Sequence, residues 1–287
     1  MTSEEDRVSS ILILGGPGEG KTIYGAQLLG RLNENQGLLA MRGAPVNIHA
    51  FEEALRRLNQ GQPPSHTRVD TYDEIRMPIK SVRGYHSDLV WPDYGGEQVD
   101  QLLDQRHIPP DWRHRIERSD GWLLFVRPDR IQVRDDILSR PRSDEEGRND
   151  LSDSSTSPWS EQARLIELMQ LMLFAKGLGP RARVQAPALT IMLSCWDELN
   201  GEEGEALPRD VFRARVPLFA DFVESVWATD PLSVFGLSSL GKALDVKSSD
   251  QAYRDQGPER FGYVILPNGT RSSDLTLPVA ALTERMV

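Results

Sequence analysis

The chain has 287 residues, of which 39% are hydrophobic, so it can bury the core of one large domain or two small ones. Its 43 acidic residues outnumber its 33 basic ones, and the net charge of −10 argues against nucleic acid or an anionic membrane as the main partner. The single cysteine, the acidic and polar start, and the lack of an apolar run of the ~18 residues that a bilayer requires predict a cytoplasmic protein.

The first predicted elements frame a glycine-rich loop. The apolar run at 11–14 predicts a buried strand, and residues 22–32 predict a helix. Between them, GGPGEGKT fits the phosphate-binding pattern G-x-x-x-x-G-K-T without a mismatch. Glycines allow the backbone N–H groups to turn inward around an anion, and the positive end of the following helix points to the same place. A plain strand-to-helix turn is the alternative, but the flanking strand and helix favour a nucleoside triphosphate site.

Each residue type in this loop has a chemical role in that interpretation. Lys21 is predicted to reach the β- and γ-phosphates, and the Thr22 hydroxyl is predicted to bind Mg²⁺. The residues predicted to contact the nucleotide here are Gly15, Gly18, Glu19, Gly20, Lys21, Thr22 and Ile23.

The middle of the chain continues with alternating elements. A polar, turn-rich connection at 33–45 leads to a predicted helix at 49–61. Strands are predicted at 75–82 and 87–91, joined in a hairpin that turns at Gly84, and a helix is predicted to start at 96. The nearly continuous apolar run at 120–128 is typical of a strand buried on both faces.

After that strand the composition changes. Residues 134–157 are charged and serine-rich and predict a surface insertion. A helix follows with Ser157 as its N-cap and Pro158 at its first position, and it ends near Gly177 or Gly179. Next come a buried strand at 188–196, a helix at 209–227 that Pro217 interrupts or kinks, and a strand from 232. A short strand, a turn at 268–269 and a terminal helix complete the chain.

This alternation of strands and helices predicts the fold class. We expect an α/β protein with a mostly parallel central sheet and helices on both faces, as in a P-loop NTPase of the small-GTPase type. The interpretation treats 1–287 as a single domain with insertions at about 33–66 and 134–157, because neither half contains a complete sheet.

A carboxylate after a neighbouring strand is the second predicted part of the site. A phosphate-loop enzyme steadies Mg²⁺ with such a group, and Asp93 follows the strand that ends at 91. Gly96 stands three positions later, where its N–H could meet a γ-phosphate. A solvated turn is the alternative for this short pattern.

Four segments together, GGPGEGKT, DYGGEQ, SCWDEL and FGLSSL, resemble the series of boxes in Ras-like P-loop GTPases. The resemblance implies that Asp93 and Gly96 form a switch that senses the γ-phosphate. It also implies a metal-binding threonine before the hairpin. Thr71 has the appropriate spacing and Thr67 is the fallback, while an ordinary strand-entry role for Thr71 stays equally open.

The resemblance further implies how the base is read. Asp197 would accept hydrogen bonds from N1–H and the exocyclic amine of guanine, a charge-assisted bidentate pair. Ser238 and Ser239 would lie in the last box, whose backbone N–H groups contact the base carbonyl. The alternative for Asp197 is a helix N-cap at the end of a buried strand.

Two residues depart from the family pattern. Cys195 stands where the base-reading box normally carries a lysine, and we interpret it as a small hydrophobic residue and not as a nucleophile. Glu97 stands where a glutamine normally orients the attacking water. Lys21 and Glu97 are nevertheless the residues that we predict to be catalytic. A carboxylate at that position is repelled by the γ-phosphate, so we expect GTP hydrolysis to be slow or to depend on a partner.

The WPDYGGE segment, the C-terminal tail and the insertion are similar to bacterial double-GTPase proteins of conflict or defence systems. That resemblance implies bound GTP or GDP, Mg²⁺, and a protein partner that is an effector or a second GTPase. Two alternatives stay open. One is an ATP-using kinase or ATPase, with arginines of DWRHRIER as a lid, although a solvated face is the favoured interpretation of that segment. The other is a nucleotide-bound scaffold that does not hydrolyse its ligand.

Overall fold

The computed structural model describes residues 8–35, 37–64, 74–92, 107–131, 160–179, 182–199 and 201–286, together with Leu103 and Gln105. Over these residues the chain forms one nine-stranded sheet in the order β2-β3-β4-β1-β5-β6-β7-β8-β9. The strands are β1 (Ser9–Leu14), β2 (Leu39–Met41), β3 (Ile75–Ser81), β4 (His86–Trp91), β5 (Gly121–Val126), β6 (Ala188–Leu193), β7 (Leu232–Ser238), β8 (Tyr263–Ile265) and β9 (Arg271–Ser272).

The sheet has a parallel centre and antiparallel borders. The five central strands run parallel to one another: β4, β1, β5, β6 and β7. β2 and β3 add antiparallel strands at one border, and β8 and β9 do so at the other. The expected α/β class is therefore confirmed, but the sheet is mixed: short hairpins join β3 to β4 and β8 to β9, whereas longer segments that contain a helix join β2 to β3 and β7 to β8.

Helices cover both faces of the sheet, as predicted. The helices are α1 (Lys21–Asn33), α2 (His49–Asn59), α3 (Pro110–Arg118), α4 (Glu161–Ala175), α5 (Pro208–Arg215), α6 (Pro217–Val226), α7 (Gln251–Gln256) and α8 (Leu277–Arg285). Alternate residues of β1 point to opposite faces: Ile11 and Ile13 pack with α1, α2 and α8, whereas Leu12 and Leu14 pack with α3 to α6. Buried positions on both faces explain why the central strands are almost wholly apolar.

The strand register brings the functional segments to one edge. Leu14 pairs with Leu124, Val126 with Leu193, and Leu193 with Gly236. The carboxyl ends of β1, β5, β6 and β7 therefore lie side by side. In open α/β sheets this edge is where ligands bind.

Several predicted element boundaries are confirmed. The β3–β4 hairpin turns at Gly84, whose φ is +88°, and Pro217 ends one helix and starts the next. The predicted N-cap at Ser157 is wrong. α4 begins at Glu161, and Ser160 Oγ accepts a hydrogen bond from the Ala163 N–H at 3.2 Å.

Two elements were not predicted. β2 lies in the connection that we interpreted as polar and turn-rich, and it exists through its pairing with β3, with Leu39 opposite Ser81. The DWRHRIER stretch forms most of α3, which buries Trp112 and Ile116 and is not simply a solvated face. Its Arg115 donates from Nε to Glu74 Oε2 at 2.7 Å.

Among the helices that the described ranges contain, none combines the length and the apolar character needed to cross a bilayer.

Candidate nucleotide-binding site

The phosphate loop joins β1 to α1 at the carboxyl edge of the sheet. Gly15, Gly18 and Gly20 have φ values of +142°, +74° and +85°, which side chains with a Cβ rarely adopt. Gly20 is the residue that precedes α1, so the N–H groups of the first turn of this helix, which have no carbonyl partner within the helix, lie next to the loop. The backbone is therefore shaped as a cradle of N–H donors for an anion.

A carboxylate already lies within this cradle. The Gly16 N–H donates to Glu19 Oε2 at 2.5 Å, and a Cβ added to Gly15 would collide with the same carboxylate. Lys21 Nζ donates to the carbonyls of Gly15 and Gly16 at 2.7 and 2.6 Å. One backbone N–H of the loop thus donates to a carboxylate oxygen, and the Lys21 charge acts on the same carboxylate; both groups are donors of the kind that bind phosphate oxygens.

Burial dominates the electrostatics of this pair. It raises the pKa of Glu19 to about 7, although the Lys21 charge and the Gly16 N–H act in the opposite direction. Burial also lowers the pKa of Lys21, and the Glu19 charge opposes that shift. Glu19 is therefore a group whose charge changes near neutral pH.

We expect the stability of Glu19→Gln relative to wild type, in the nucleotide-free protein, to be greater at pH 8 than at pH 5. The folded-state pKa of Glu19, about 7, lies above the ordinary value of 4.5. Between these values the folded chain holds more protons than the unfolded chain, so the contribution of Glu19 to stability falls as the pH rises through this range. The measurement is the Tm of variant and wild type from pH 5 to 8.

Glu117→Gln, at an exposed position of α3, is the matched control and should show no such trend. A Tm difference between Glu19→Gln and wild type that stays constant from pH 5 to 8 would contradict the prediction.

The predicted base-reading turn follows β6 directly. The Ser194 N–H donates to the Val126 carbonyl at 2.9 Å, so the turn starts beside the end of β5. Cys195 has φ +55° and leads into a 3₁₀ turn, Trp196–Glu198, with half-buried Asp197 in its middle. A Cβ added to Gly20 would lie 3.9 Å from Ser194 Cβ, so the phosphate loop and this turn are direct neighbours.

Cys195 is half-buried, and burial raises the pKa of its thiol to about 12. The thiol is therefore protonated at neutral pH, in agreement with its interpretation as an apolar residue and not as a nucleophile.

The last predicted box lies at the end of β7. Ser238 is fully buried, and its Oγ accepts a hydrogen bond from the Gly241 N–H at 2.8 Å, while Ser239 is half-buried. Burial raises the pKa of nearby Tyr263, and the Asp197 charge contributes to the same shift. The ring of Trp196, the residue before Asp197, lies against Gly236 of β7, where an added Cβ would collide with it, so the structure brings the base-reading turn and the last box together.

The remaining predicted site residues, Thr67, Thr71, Asp93, Gly96 and Glu97, lie outside the described residues. β4, the strand that precedes Asp93, ends at Trp91. Within the ranges that the structure describes, no three His, Cys, Asp or Glu side chains are grouped so that they could hold a metal ion. The Thr22 hydroxyl, half-buried at the second position of α1, is the described group that fits Mg²⁺ beside a triphosphate.

Sequence reasoning missed two arginines after β5. Arg127 pairs with Asp129 and with Glu198 of the base-reading turn. Arg130 Nη1 lies 2.8 Å from the position of a Cβ added to Gly18, so this guanidinium rests against the phosphate loop. The available signal was position: both residues directly follow a buried parallel strand, at the edge where ligands bind.

Solved structures that resemble the chain include two nucleotide-related proteins. The bacterial selenocysteine-specific elongation factor EF-Sec shows 13% identity and a TM-score of 0.37, with 81% of this chain and 26% of that chain covered. The Arl6 BBS3 small GTPase from Trypanosoma brucei, with the bound nucleotide analogue GppNp, shows 11% identity and a TM-score of 0.37, with 89% of this chain and 99% of that chain covered. This chain thus spans about a quarter of EF-Sec, and scores of this size carry no functional argument. Among curated proteins, none matches the chain.

A family model gives a firmer assignment. The model of the family described as Double-GTPase 1 matches residues 12–282, which include the phosphate loop, the base-reading turn and the last box. The resemblance to P-loop GTPases and to double-GTPase proteins is thereby confirmed, and it supports guanine-nucleotide binding. The chain belongs to the Double-GTPase 1 family.

Proposed function

We propose that the chain is a GTP-binding molecular switch that hydrolyses GTP slowly and is accelerated by a protein partner. The observation that carries this proposal is the proximity of the phosphate loop to the base-reading turn: a Cβ added to Gly20 would lie 3.9 Å from Ser194 Cβ. A ligand that meets both segments has an anionic end and a base end, as a nucleoside triphosphate has. Asp197, in the second segment, supports guanine because adenine lacks the two donors that a carboxylate accepts.

The catalytic part of the proposal combines Thr22 with residues outside the described ranges. Thr22 and Asp93 would hold Mg²⁺, with Thr71 as a third candidate, and the ion supplies charge neutralisation at the phosphates when it is bound. Glu97 would hold the attacking water near Gly96. The anionic γ-phosphate repels the carboxylate that holds this water, which supports slow turnover in the isolated protein.

The protein partner is proposed to be an effector or a second GTPase, in a bacterial conflict or defence system. Family membership and the slow turnover expected of Glu97 support a partner-dependent cycle, since an arginine supplied by a partner is worth roughly 10³–10⁵ in rate.

We expect isolated wild-type protein to release phosphate from GTP at roughly 10⁻⁴–10⁻² s⁻¹, the range of unassisted P-loop GTPases. Glu97→Gln should leave this rate similar or raise it, because an amide still orients water without repelling the phosphate. Asp93→Ala should remove the Mg²⁺-dependent turnover. The measurement is phosphate release under single-turnover conditions at matched Mg²⁺.

Glu117→Gln, at an exposed position of α3, controls for a general loss of negative charge. A fast wild-type rate that Glu97→Gln eliminates would identify Glu97 as a general base and refute the slow switch. Equal binding of ATP and GTP by wild type would instead favour the kinase or ATPase alternative. GTP binding without any phosphate release would favour the scaffold.

A further inference from the structure

The base-reading turn lacks the lysine that its box normally carries, so other groups must hold Asp197 in place. One of them is Trp196, which is buried and donates from Nε1 to the Gly204 carbonyl at 3.1 Å. Its ring lies against Gly236 at the end of β7, where a Cβ would collide with it. The residue before Asp197 is thus anchored in the core.

The residue after Asp197 is anchored from the opposite side. Glu198 Oε2 pairs with the Nη2 of Arg127, which directly follows β5. The Nε of the same arginine donates to both carboxylate oxygens of Asp129, at 2.9 and 3.2 Å. The planar guanidinium therefore holds two carboxylates at once, a geometry that a lysine ammonium does not reproduce.

This arginine differs from an ordinary surface ion-pair partner. Its side chain is only 16% exposed, whereas that of Glu198 is 39% exposed, so water and salt reach the pair mainly from the carboxylate side. It also lies near the position of the missing lysine, because its partner Glu198 donates from its backbone N–H to the Cys195 carbonyl at 2.9 Å. Asp197 is thus the middle residue of a short turn whose two flanks are fixed by different strands.

We infer that Arg127 is a positioning residue for guanine recognition, which holds the Asp197 turn through Glu198 in place of the lysine that Cys195 replaces. This inference rests on the proposed function, because it assumes that Asp197 reads the base. Arg127 acts through the turn and is not assigned a contact with the nucleotide.

The test compares the binding of GTP with that of inosine triphosphate. Inosine triphosphate lacks the exocyclic amine from which Asp197 would accept a hydrogen bond. We expect Arg127→Gln to reduce the preference for GTP over inosine triphosphate by about tenfold, the effect of losing well-placed charge-assisted contacts. Glu198→Gln should have a similar effect, and the double variant should lose little more, because both changes break the same link. Arg127→Lys should recover part of the preference.

Arg213→Gln is the matched control. Arg213 makes a comparable two-point pair with Glu224, with Nη2 to Oε2 at 2.8 Å, on the exposed surface of α5. This variant should keep the wild-type preference. Binding is measured by calorimetric titration with non-hydrolysable analogues, alongside the Tm of each variant.

Three results would overturn the inference: an unchanged preference in Arg127→Gln, an equal loss of affinity for both nucleotides, or the same loss of preference in Arg213→Gln. Failure of the proposed function gives a different result, because wild type itself would then show no preference for GTP over inosine triphosphate or ATP.

Discussion

Replacing Lys21 with alanine is expected to abolish binding of GTP while the fold survives. Lys21 Nζ lies on the carbonyls of Gly15 and Gly16 at 2.7 and 2.6 Å, where its charge also faces the Glu19 carboxylate. Its removal eliminates the cation that would meet the β- and γ-phosphates. A charge-assisted contact of this kind is worth about 1.5–3 kcal/mol, and because Lys21 would contact two phosphates we expect at least about a 100-fold loss of affinity.

The measurement is calorimetric titration with a non-hydrolysable GTP analogue in the presence of Mg²⁺. Lys80→Ala, at an exposed position of β3, is the control and should bind as wild type does. If Lys21→Ala unfolds because Glu19 loses its cation, the double variant Lys21→Ala/Glu19→Gln removes the buried charge as well. A folded variant that retains wild-type affinity would disprove the phosphate-loop assignment.

Thr22→Ala should weaken the same complex, but through the metal. The Thr22 hydroxyl stands at the second position of α1, beside the loop, where it fits a Mg²⁺ ligand. We therefore expect the affinity difference from wild type to be largest at saturating Mg²⁺ and to shrink when the ion is chelated. An affinity loss independent of Mg²⁺ would place Thr22 outside the metal shell.

The second large effect is expected for Asp197→Asn, which should change the preferred base from guanine to xanthine. The carboxylate accepts two hydrogen bonds from guanine, whereas an amide can donate to the C2 carbonyl of xanthine. One bidentate contact discriminates by about 1–3 kcal/mol in base-edge recognition, so we expect roughly a 5- to 150-fold shift from GTP towards xanthosine triphosphate.

Competition between the two nucleotides for a fluorescent GDP analogue measures this shift. Asp221→Asn, which removes one negative charge on α6, controls for the change in net charge. If Asp197→Asn weakened both nucleotides equally, Asp197 would be a capping or structural residue of its turn and not the group that reads the base.

The sequence by itself determined the features that depend on short segments. The pattern GGPGEGKT between an apolar run and a helix is sufficient for the phosphate loop, because the chemistry needs those residue types at that spacing. The central strands were equally clear: positions buried on both faces are apolar almost without interruption, as in Gly121–Val126 and Ala188–Leu193. Pro217 marked a helix start correctly because its ring is compatible with a first helical position.

Tertiary structure decided the features that depend on residues far apart in the chain. β2 is a strand because β3 lies beside it, and Ser160 caps α4 although Ser157 has the same side chain. The link from Arg127 to Glu198 joins positions 71 residues apart. No local pattern specifies such a pair, since the register of parallel strands alone places the ends of β5 and β6 together. The protonation of Glu19 is also decided by the tertiary structure. Burial in the folded loop raises its pKa to about 7, and its neighbours in sequence do not.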